Sequence, residues 1–328
     1  MSFRMRRVLA FFKAELVQPY PTTGCTPNQR SGMKWMWWDA ILATVSVSFY
    51  GDFVNLFMLK LSAQAYQIGL LSSIASAAGM LAPLLGAWMV ERSHKRKVWV
   101  LLGPGSLFRV TFLILAALPF VFHGAGAVTA FIVLFTFQTF ADSLAMPAWN
   151  SLFADIVPIH VRGRYLGGQL TASFIARLAI VPIAGVLVQV IGGLQGYQLV
   201  WLLAGLTGFI ATSFYARIPE PQSREVGSEG ALGSLLGSFR VLARDRRFFH
   251  FCLVSFVWNF GVQLAGPYFN VYQVQTLGFS IATIAFILTI ASVAAAIFVR
   301  IAGALVDRFG AIKLMALSAL LVPIIPVL

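Results

Sequence analysis

The sequence predicts an all-α polytopic membrane protein built from two related halves, the second of them incomplete. Three observations carry this. Hydrophobic residues make up 59% of the 328-residue chain and charged residues 11%, a balance foreign to soluble domains. Apolar runs of about 20 residues, the length that crosses a hydrocarbon core about 30 Å thick, recur along the chain. An acidic-basic signature between two such runs occurs twice, as Ala87-Trp-Met-Val-Glu91-Arg92-Ser-His-Lys95-Arg96-Lys97 and as Gly303-Ala-Leu-Val-Asp307-Arg308-Phe-Gly310-Ala-Ile-Lys313. From Glu91 to Asp307 is a shift of 216 positions, and the same shift lays Leu61 on Leu277, Ile68 on Ile284 and Ile74-Ala75-Ser76 on Ile290-Ala291-Ser292. Duplication inside a membrane protein points to the paired halves of a transporter.

Nine spans follow from the apolar runs, at 37–59, 67–90, 98–122, 127–149, 165–191, 197–216, 249–273, 280–303 and 312–328. All are expected to be helices, because a helix in lipid satisfies its own backbone hydrogen bonds. A barrel would show short alternating strands, and these segments are apolar at nearly every position. Residues 1–36 form an N-terminal arm without a long apolar run, 37–217 a six-helix bundle, 218–247 a polar linker and 248–328 three helices of a second bundle. Within the linker, Leu232, Leu235, Leu236 and Phe239 predict a short interfacial helix on the inner leaflet. Nine spans against six in the first half imply a chain that stops three helices short.

The net charge of +13 does not indicate nucleic acid, because the basic residues alternate with the spans. Arg4, Arg6, Arg7, Lys13, Arg30 and Lys34 precede the first; Arg92, Lys95, Arg96 and Lys97 follow the second; Arg217, Arg224, Arg240, Arg244, Arg246 and Arg247 follow the sixth. The opposite loops hold Lys60 alone. By the positive-inside rule the N-terminus is cytoplasmic, in a multi-pass protein of the plasma (inner) membrane. Two lone cysteines, Cys25 and Cys252, make neither a metal site nor a disulfide framework, and no cofactor motif is visible.

The second signature, Gly303-Ala-Leu-Val-Asp307-Arg308-Phe-Gly310, resembles the loop motif of the major facilitator superfamily of secondary transporters. The first copy is degenerate, with Ala87 for glycine, Glu91 for aspartate and His94 for the second glycine. Pro147-Ala-Trp149 through Asp155-Ile-Val-Pro158 to Arg162-Gly163-Arg164, Ile218-Pro-Glu-Pro221 and Trp258-Asn259-Phe-Gly261 are similar to the family in the same way. The resemblance covers about residues 37–328 and implies a two-bundle fold with a pseudo-twofold repeat. Two departures stand out. Helix four has Gln138 and Asp142 where proton-coupled members carry an arginine, and helix five keeps only Pro182 and Gly185 of the antiporter element.

Candidate mechanistic residues fall into three groups. Glu91, Arg92, Lys95, Arg96, Gly303, Asp307, Arg308, Gly310 and Lys313 are candidate gating residues, since a carboxylate and arginines in a short turn can clamp neighbouring helix ends. Asp52, Arg109, Asp142 and Arg177 lie within spans, where each charge costs at least about 2.5 kcal/mol and requires a partner or water. Asp52 lies about 22 Å and Arg177 about 20 Å along their spans at 1.5 Å per residue. Asp142 is expected to pair with Arg177 or Arg109, leaving Asp52 as the titrating group. The resemblance puts helix three at the periphery and makes Arg109 a structural ion-pair partner. Asn259, Gln263 and Asn270 share one face of helix seven and, with Asn55 and Gln138, mark either a wet cavity or interhelical packing. Small residues at Ser72, Ala75, Gly79, Ala82 and Gly86 predict a close helix approach, at the moving interface between halves.

The expected function is secondary transport of a small molecule by alternating access, with a proton as coupling ion and membrane lipid as the surrounding partner. The remnant at Pro182 and Gly185 favours export. The alternatives are an uptake symporter for a sugar or organic acid, and a non-transporting membrane protein or inactive fragment. A catalytic constellation is not visible, and a monomer is expected.

Overall fold

The first helix begins ten residues earlier than hydropathy suggests, because a capping box fixes it. Thr26 Oγ1 accepts from the Gln29 amide at 3.3 Å, Gln29 Oε1 accepts from the Thr26 amide at 3.0 Å, and Pro27 opens the helix. The computed structural model describes residues 24–93, 96–219 and 245–294. Its first six helices are α1 (Pro27–Lys60), α2 (Ala65–Ser93), α3 (Arg96–Val121), α4 (Gly124–Ile156), α5 (Ile159–Ile191) and α6 (Gly193–Tyr215). Each is long and apolar enough to cross a membrane. Then comes α7, which runs as Arg246–Ala265, tightens into a 3-10 turn at Gly266–Tyr268 and ends as Phe269–Gln275; α8 is Ile281–Ala294. The linker helix, the ninth span, Lys95 and the second signature with Gly303, Asp307, Arg308, Gly310 and Lys313 lie outside the described residues.

The internal repeat is visible as repeated geometry. α1 is interrupted by a 3-10 turn at Gly51–Phe53 and resumes as Val54–Lys60, just as α7 does at Gly266–Tyr268 and Phe269–Gln275, an offset of 215 positions. After each comes a left-handed turn residue, Ser62 at φ 67° and Gly278 at φ 66°, now offset by 216. Ile68 and Ile284 are both fully buried, while Ile74 and Ile290 are both exposed. Gly69 of α2 lies against the Tyr268 hydroxyl of α7, and Ala285, its equivalent in α8, packs on Gly185 beside Phe53, the equivalent of Tyr268.

Within the first bundle α1 packs on α5 and α6, α2 on α4, and α3 on α6. Two apolar clusters fill it. One, toward the end that carries Lys60, surrounds Trp201 with Tyr50, Phe57, Phe112 and Phe131 at ring separations of 4.7–6.1 Å. The other, toward the opposite basic end, joins Met33, Trp37, Phe153, Ile156 and Tyr165, whose hydroxyl donates to the Met33 carbonyl at 3.0 Å. Both basic-end turns are pinned by arginines. Arg96 pairs with Asp155 and donates to Ser151 Oγ at 3.0 Å, while Arg162 donates to the Ala154 and Val157 carbonyls that end α4.

The small-residue face of α2 proves to pack inside its own bundle rather than between halves. Gly79 faces Thr139 and Ser143, and Gly86 sits on the backbone of Leu144, so α2 and α4 touch where a side chain is missing. A Cβ at Gly86 would overlap the Leu144 carbonyl oxygen, which cannot swing away as a side chain would. Gly86→Ala should therefore cost about 1–3 kcal/mol. Exposed Gly167, with nothing within 4 Å of its would-be Cβ, should gain roughly 0.5–1 kcal/mol as alanine from helix propensity. Unfolding midpoints of the two variants in detergent check this, and equal midpoints would refute the close approach.

Candidate functional site

Two groups of charges lie on the spanning helices of the first bundle. The first joins α1 to α5. Arg177 Nη2 donates to both carboxylate oxygens of Asp52, at 2.8 and 2.7 Å. Asp52 stands on the 3-10 turn that bends α1, and its side chain is 17% exposed against 31% for Arg177, so the bridge is reachable from the open side of the bundle. Two turns toward the basic end Thr44 Oγ1 donates to Ser173 Oγ at 3.1 Å, a second polar contact on the α1–α5 seam. Asp52 thus has one of the two arginines, Arg177 and Arg109, that were expected for Asp142. Arg177 and Asp142 do not form a pair, because each meets a different neighbour across α1.

The second group lines a cavity of about 290 Å³ enclosed by α1, α3, α4 and α6. Arg109 enters it from α3, Asp142 from α4 and Asp39 from α1. Local sequence makes the room. Pro104 removes a backbone donor from α3, and the helix widens into a π-helical stretch at Leu101–Leu107. Thr212 of α6 donates to the Gly105 carbonyl at 3.0 Å and steadies that stretch. Gly208 of α6 lies beneath Arg109, where a Cβ would overlap the side chain. Arg109 is 5% exposed; its Nη1 donates to Ser46 Oγ at 3.1 Å, and its guanidinium lies 4.9 Å over the Phe108 ring and 5.9 Å from Phe112. Its Nε has no acceptor. Arg109 therefore lies inside the bundle, lining one cavity with Asp39 and Asp142, and forms no ion pair within 4 Å among the described residues.

Gln138 and Tyr50 stand between the two groups. Gln138 Nε2 donates to Tyr50 Oη at 3.4 Å, Gln138 is 1% exposed, and its Oε1 has no donor. Asn55 lines a separate groove with Gly51, Ser72, Ser76, Gly79 and Thr139. Asn259 is exposed and bonds locally, donating to the Ser255 carbonyl at 2.7 Å. Gln263 and Asn270 lie on α7, and Glu91 on α2, with side chains outside the described residues. Of the remaining loop residues, Arg92 covers the Trp88 ring at 5.6 Å, and Lys97 donates to the Ile218 carbonyl at 2.7 Å, so the described loop contacts stay inside the first bundle.

Sequence reasoning missed Asp39. Its carboxylate lies 12 residues into α1, about 18 Å along the helix, whereas a span starting at 37 puts it at the edge. The signal that exposes it is the Thr26–Gln29 capping box.

A bundle of long apolar helices, duplicated in sequence and geometry and carrying an ion pair between two of them, has the make-up of a membrane transporter. The Major Facilitator Superfamily profile matches residues 40–328, and the chain belongs to that family, whose general function is transport of small molecules across membranes. No curated protein matches the chain.

Gln138 gives a direct check of whether its polarity serves stability. A buried amide with an empty acceptor and one long hydrogen bond contributes little to folding. Gln138→Leu, of similar size, should change stability by less than about 1.5 kcal/mol. An unfolding midpoint in detergent that drops by several times that amount would assign Gln138 to packing.

Proposed function

We propose that the protein exports a small polar molecule across the plasma (inner) membrane by alternating access, with its N-terminus in the cytoplasm. The observation that carries this reading is where the halves meet. Among the described residues, the contacts that join them gather at the Lys60 end. There Gln189 Oε1 accepts from the Ala282 amide at 2.9 Å, and Gly185 touches Ala285. Tyr268 reaches Gly69, and Val271, Ile284 and Ala285 are buried in the same cluster as Phe57 and Tyr197. At the other end, Phe249, Phe251, Phe256 and Phe260 of α7 are exposed. With the basic loops cytoplasmic, this is a state closed to the outside and open to the inside.

The cargo path then runs along the polar α1–α5 seam past Asp52 and Arg177, with Gln138 and Asn55 behind it. A paired charge there holds two helices in register while leaving its exposed edge to hydrogen-bond a cargo. Arg92, Arg96 and Lys97 keep the first bundle rigid as it rocks, which is the gating role their loop contacts support. Export follows from Pro182 and Gly185 on α5; Gly185 is where α8 crosses most closely, so opening the outer end means parting these two helices.

The test uses distance. Spin labels at Tyr66→Cys and Leu277→Cys, both exposed positions on opposite sides of the outer contact, should give two populations in lipid, one short and one long. Gly185→Val, which places bulk where Ala285 packs, should enlarge the long one. A single narrow distance unchanged by that substitution would show that the halves do not move apart.

A further inference from the structure

At the basic end of the first bundle, α1 and α6 present two cations and two aromatic rings as one unit. Trp35 of α1 and Phe214 of α6 meet with ring centroids 5.7 Å apart. The Arg217 guanidinium lies 5.1 Å from the Trp35 centroid and 5.5 Å from that of Phe214, and Lys34 Nζ lies 5.2 Å from the Trp35 centroid. Both cations are exposed, and neither has a carboxylate within 4 Å among the described residues. Arg96 and Arg177, by contrast, are matched to Asp155 and Asp52. Two uncompensated cations held on aromatic faces are arranged to meet an anion from outside the bundle.

We propose that this unit binds the headgroup of one anionic phospholipid, of the phosphatidylglycerol type, in the leaflet at the basic end. The order of residues along both helices matches a lipid rather than a soluble anion. On α1, Arg30, Lys34 and Trp38 follow at intervals of four and share a face, with Ser31 and Trp35 beside them. Trp38 lies about 6 Å deeper than Lys34 along the helix axis. Cations therefore come first and indoles follow, as the phosphate level is followed by the boundary with the acyl chains. On α6, Arg217 tops a stripe of Ser213, Ile210 and Leu206, and all four are exposed. Since α6 is long and apolar enough to span, that stripe meets hydrocarbon. An acyl chain can follow it while the phosphodiester oxygens accept from Arg217 and Lys34.

The surface is held in place by contacts beneath it. The Arg217 amide donates to the Phe214 carbonyl at 3.1 Å and the Ile218 amide to the Tyr215 carbonyl at 3.0 Å, which closes the last turn of α6. Ile218 is buried, and its carbonyl accepts from Lys97 of α3 at 2.7 Å, so a third positive charge stands next to Arg217 in the chain's fold. At the start of α1 the Thr26–Gln29 capping box and Arg30, whose Nε donates to the Cys25 carbonyl at 3.2 Å, fix the turn that carries Lys34. A preformed surface binds with little ordering cost. Arg92 offers a contrast within the same end of the molecule. It covers Trp88 at 5.6 Å, but cation and ring belong to one helix.

A lipid seated here bridges the basic ends of α1 and α6, which pack on each other along the bundle. It therefore ties the first helix to the last one of the bundle at the point where the chain leaves α6. Neither the direction of transport nor the face that is cytoplasmic enters this inference, because the basic residues alone define the leaflet.

The experiment is tryptophan quenching of the whole protein in phosphatidylcholine vesicles that contain a brominated lipid as the minor component. The signal of Trp35 is read as the difference between the native protein and Trp35→Phe, which keeps a ring for Arg217 to cover. Brominated phosphatidylglycerol should quench that signal at a lower share of the bilayer than brominated phosphatidylcholine does. Lys34→Gln and Arg217→Gln should each lower the preference roughly five-fold, the contribution of one basic residue at a membrane surface. Arg92→Gln, which removes the same charge from the same end, should leave it unchanged, and added inorganic phosphate should not relieve the quenching. Monodisperse elution confirms that each variant is folded. Equal quenching by the two lipids, or a preference that survives in the Lys34→Gln/Arg217→Gln double variant, would overturn the proposal. So would an equal loss in Arg92→Gln, which would mean a diffuse field without a site, or relief by phosphate, which would make this a site for a free anion. The quenching needs no cargo and no movement of the halves, so failure of the transport reading leaves this outcome readable.

Discussion

The arrangement of the first bundle follows from one constraint, that a charge at the middle of a membrane must have its counter-charge or water within reach. Asp52 and Arg177 meet that demand directly, and in doing so fix α1 against α5 at the point where α1 bends. Asp39, Arg109 and Asp142 meet it indirectly. Their cavity is opened by the π-helical stretch of α3 and by Gly208 of α6, which lets a long guanidinium lie between helices. Apolar packing supplies the rest on either side, with Trp201 at the centre of one cluster and Tyr165 in the other. The polar layer is therefore sandwiched between two apolar clusters.

Glycines divide the contacts into two kinds. At Gly79 and Gly86 the missing side chain brings α2 onto α4 and makes a permanent joint inside one bundle. At Gly69 and Gly185 it brings the first bundle onto α7 and α8, and these two contacts are related by the internal repeat. Because the two contacts are equivalent under the repeat, each half presents the same kind of surface to the other at this end of the molecule.

Much of this was legible in the sequence. The shift of 216 placed Ile68 and Ile74 on partners with the same burial, since repeated packing demands repeated apolar positions, whereas buried Leu61 falls on exposed Leu277. Asn55 and Asn270 needed a one-residue slip, and the structure supplies the cause in the 3-10 turns offset by 215. The pairing of Asp52 with Arg177 was written in their depths, about 22 and 20 Å from the same membrane face. It was obscured because depth alone also allowed Arg177 to reach Asp142, and the expected pairing went there. Asp39 was lost for a physical reason: hydropathy measures where a helix enters lipid, and a capping box measures where it starts. The cavity itself was beyond the sequence, because a π-helical widening depends on how Pro104 is accommodated by α4 and α6.

The central claim is that the buried charges divide into a closed pair and an open group, with Asp52 belonging to Arg177 and not to Arg109. A double-mutant cycle on unfolding free energy in detergent tests it most directly. Asp52→Asn and Arg177→Gln together should be less damaging than the sum of the two, by on the order of 1–3 kcal/mol, because the second change removes a charge stranded by the first. Asp52→Asn with Arg109→Gln should be additive within about 0.5 kcal/mol. Additivity in the first cycle and strong coupling in the second would contradict the division of charges on which the account rests.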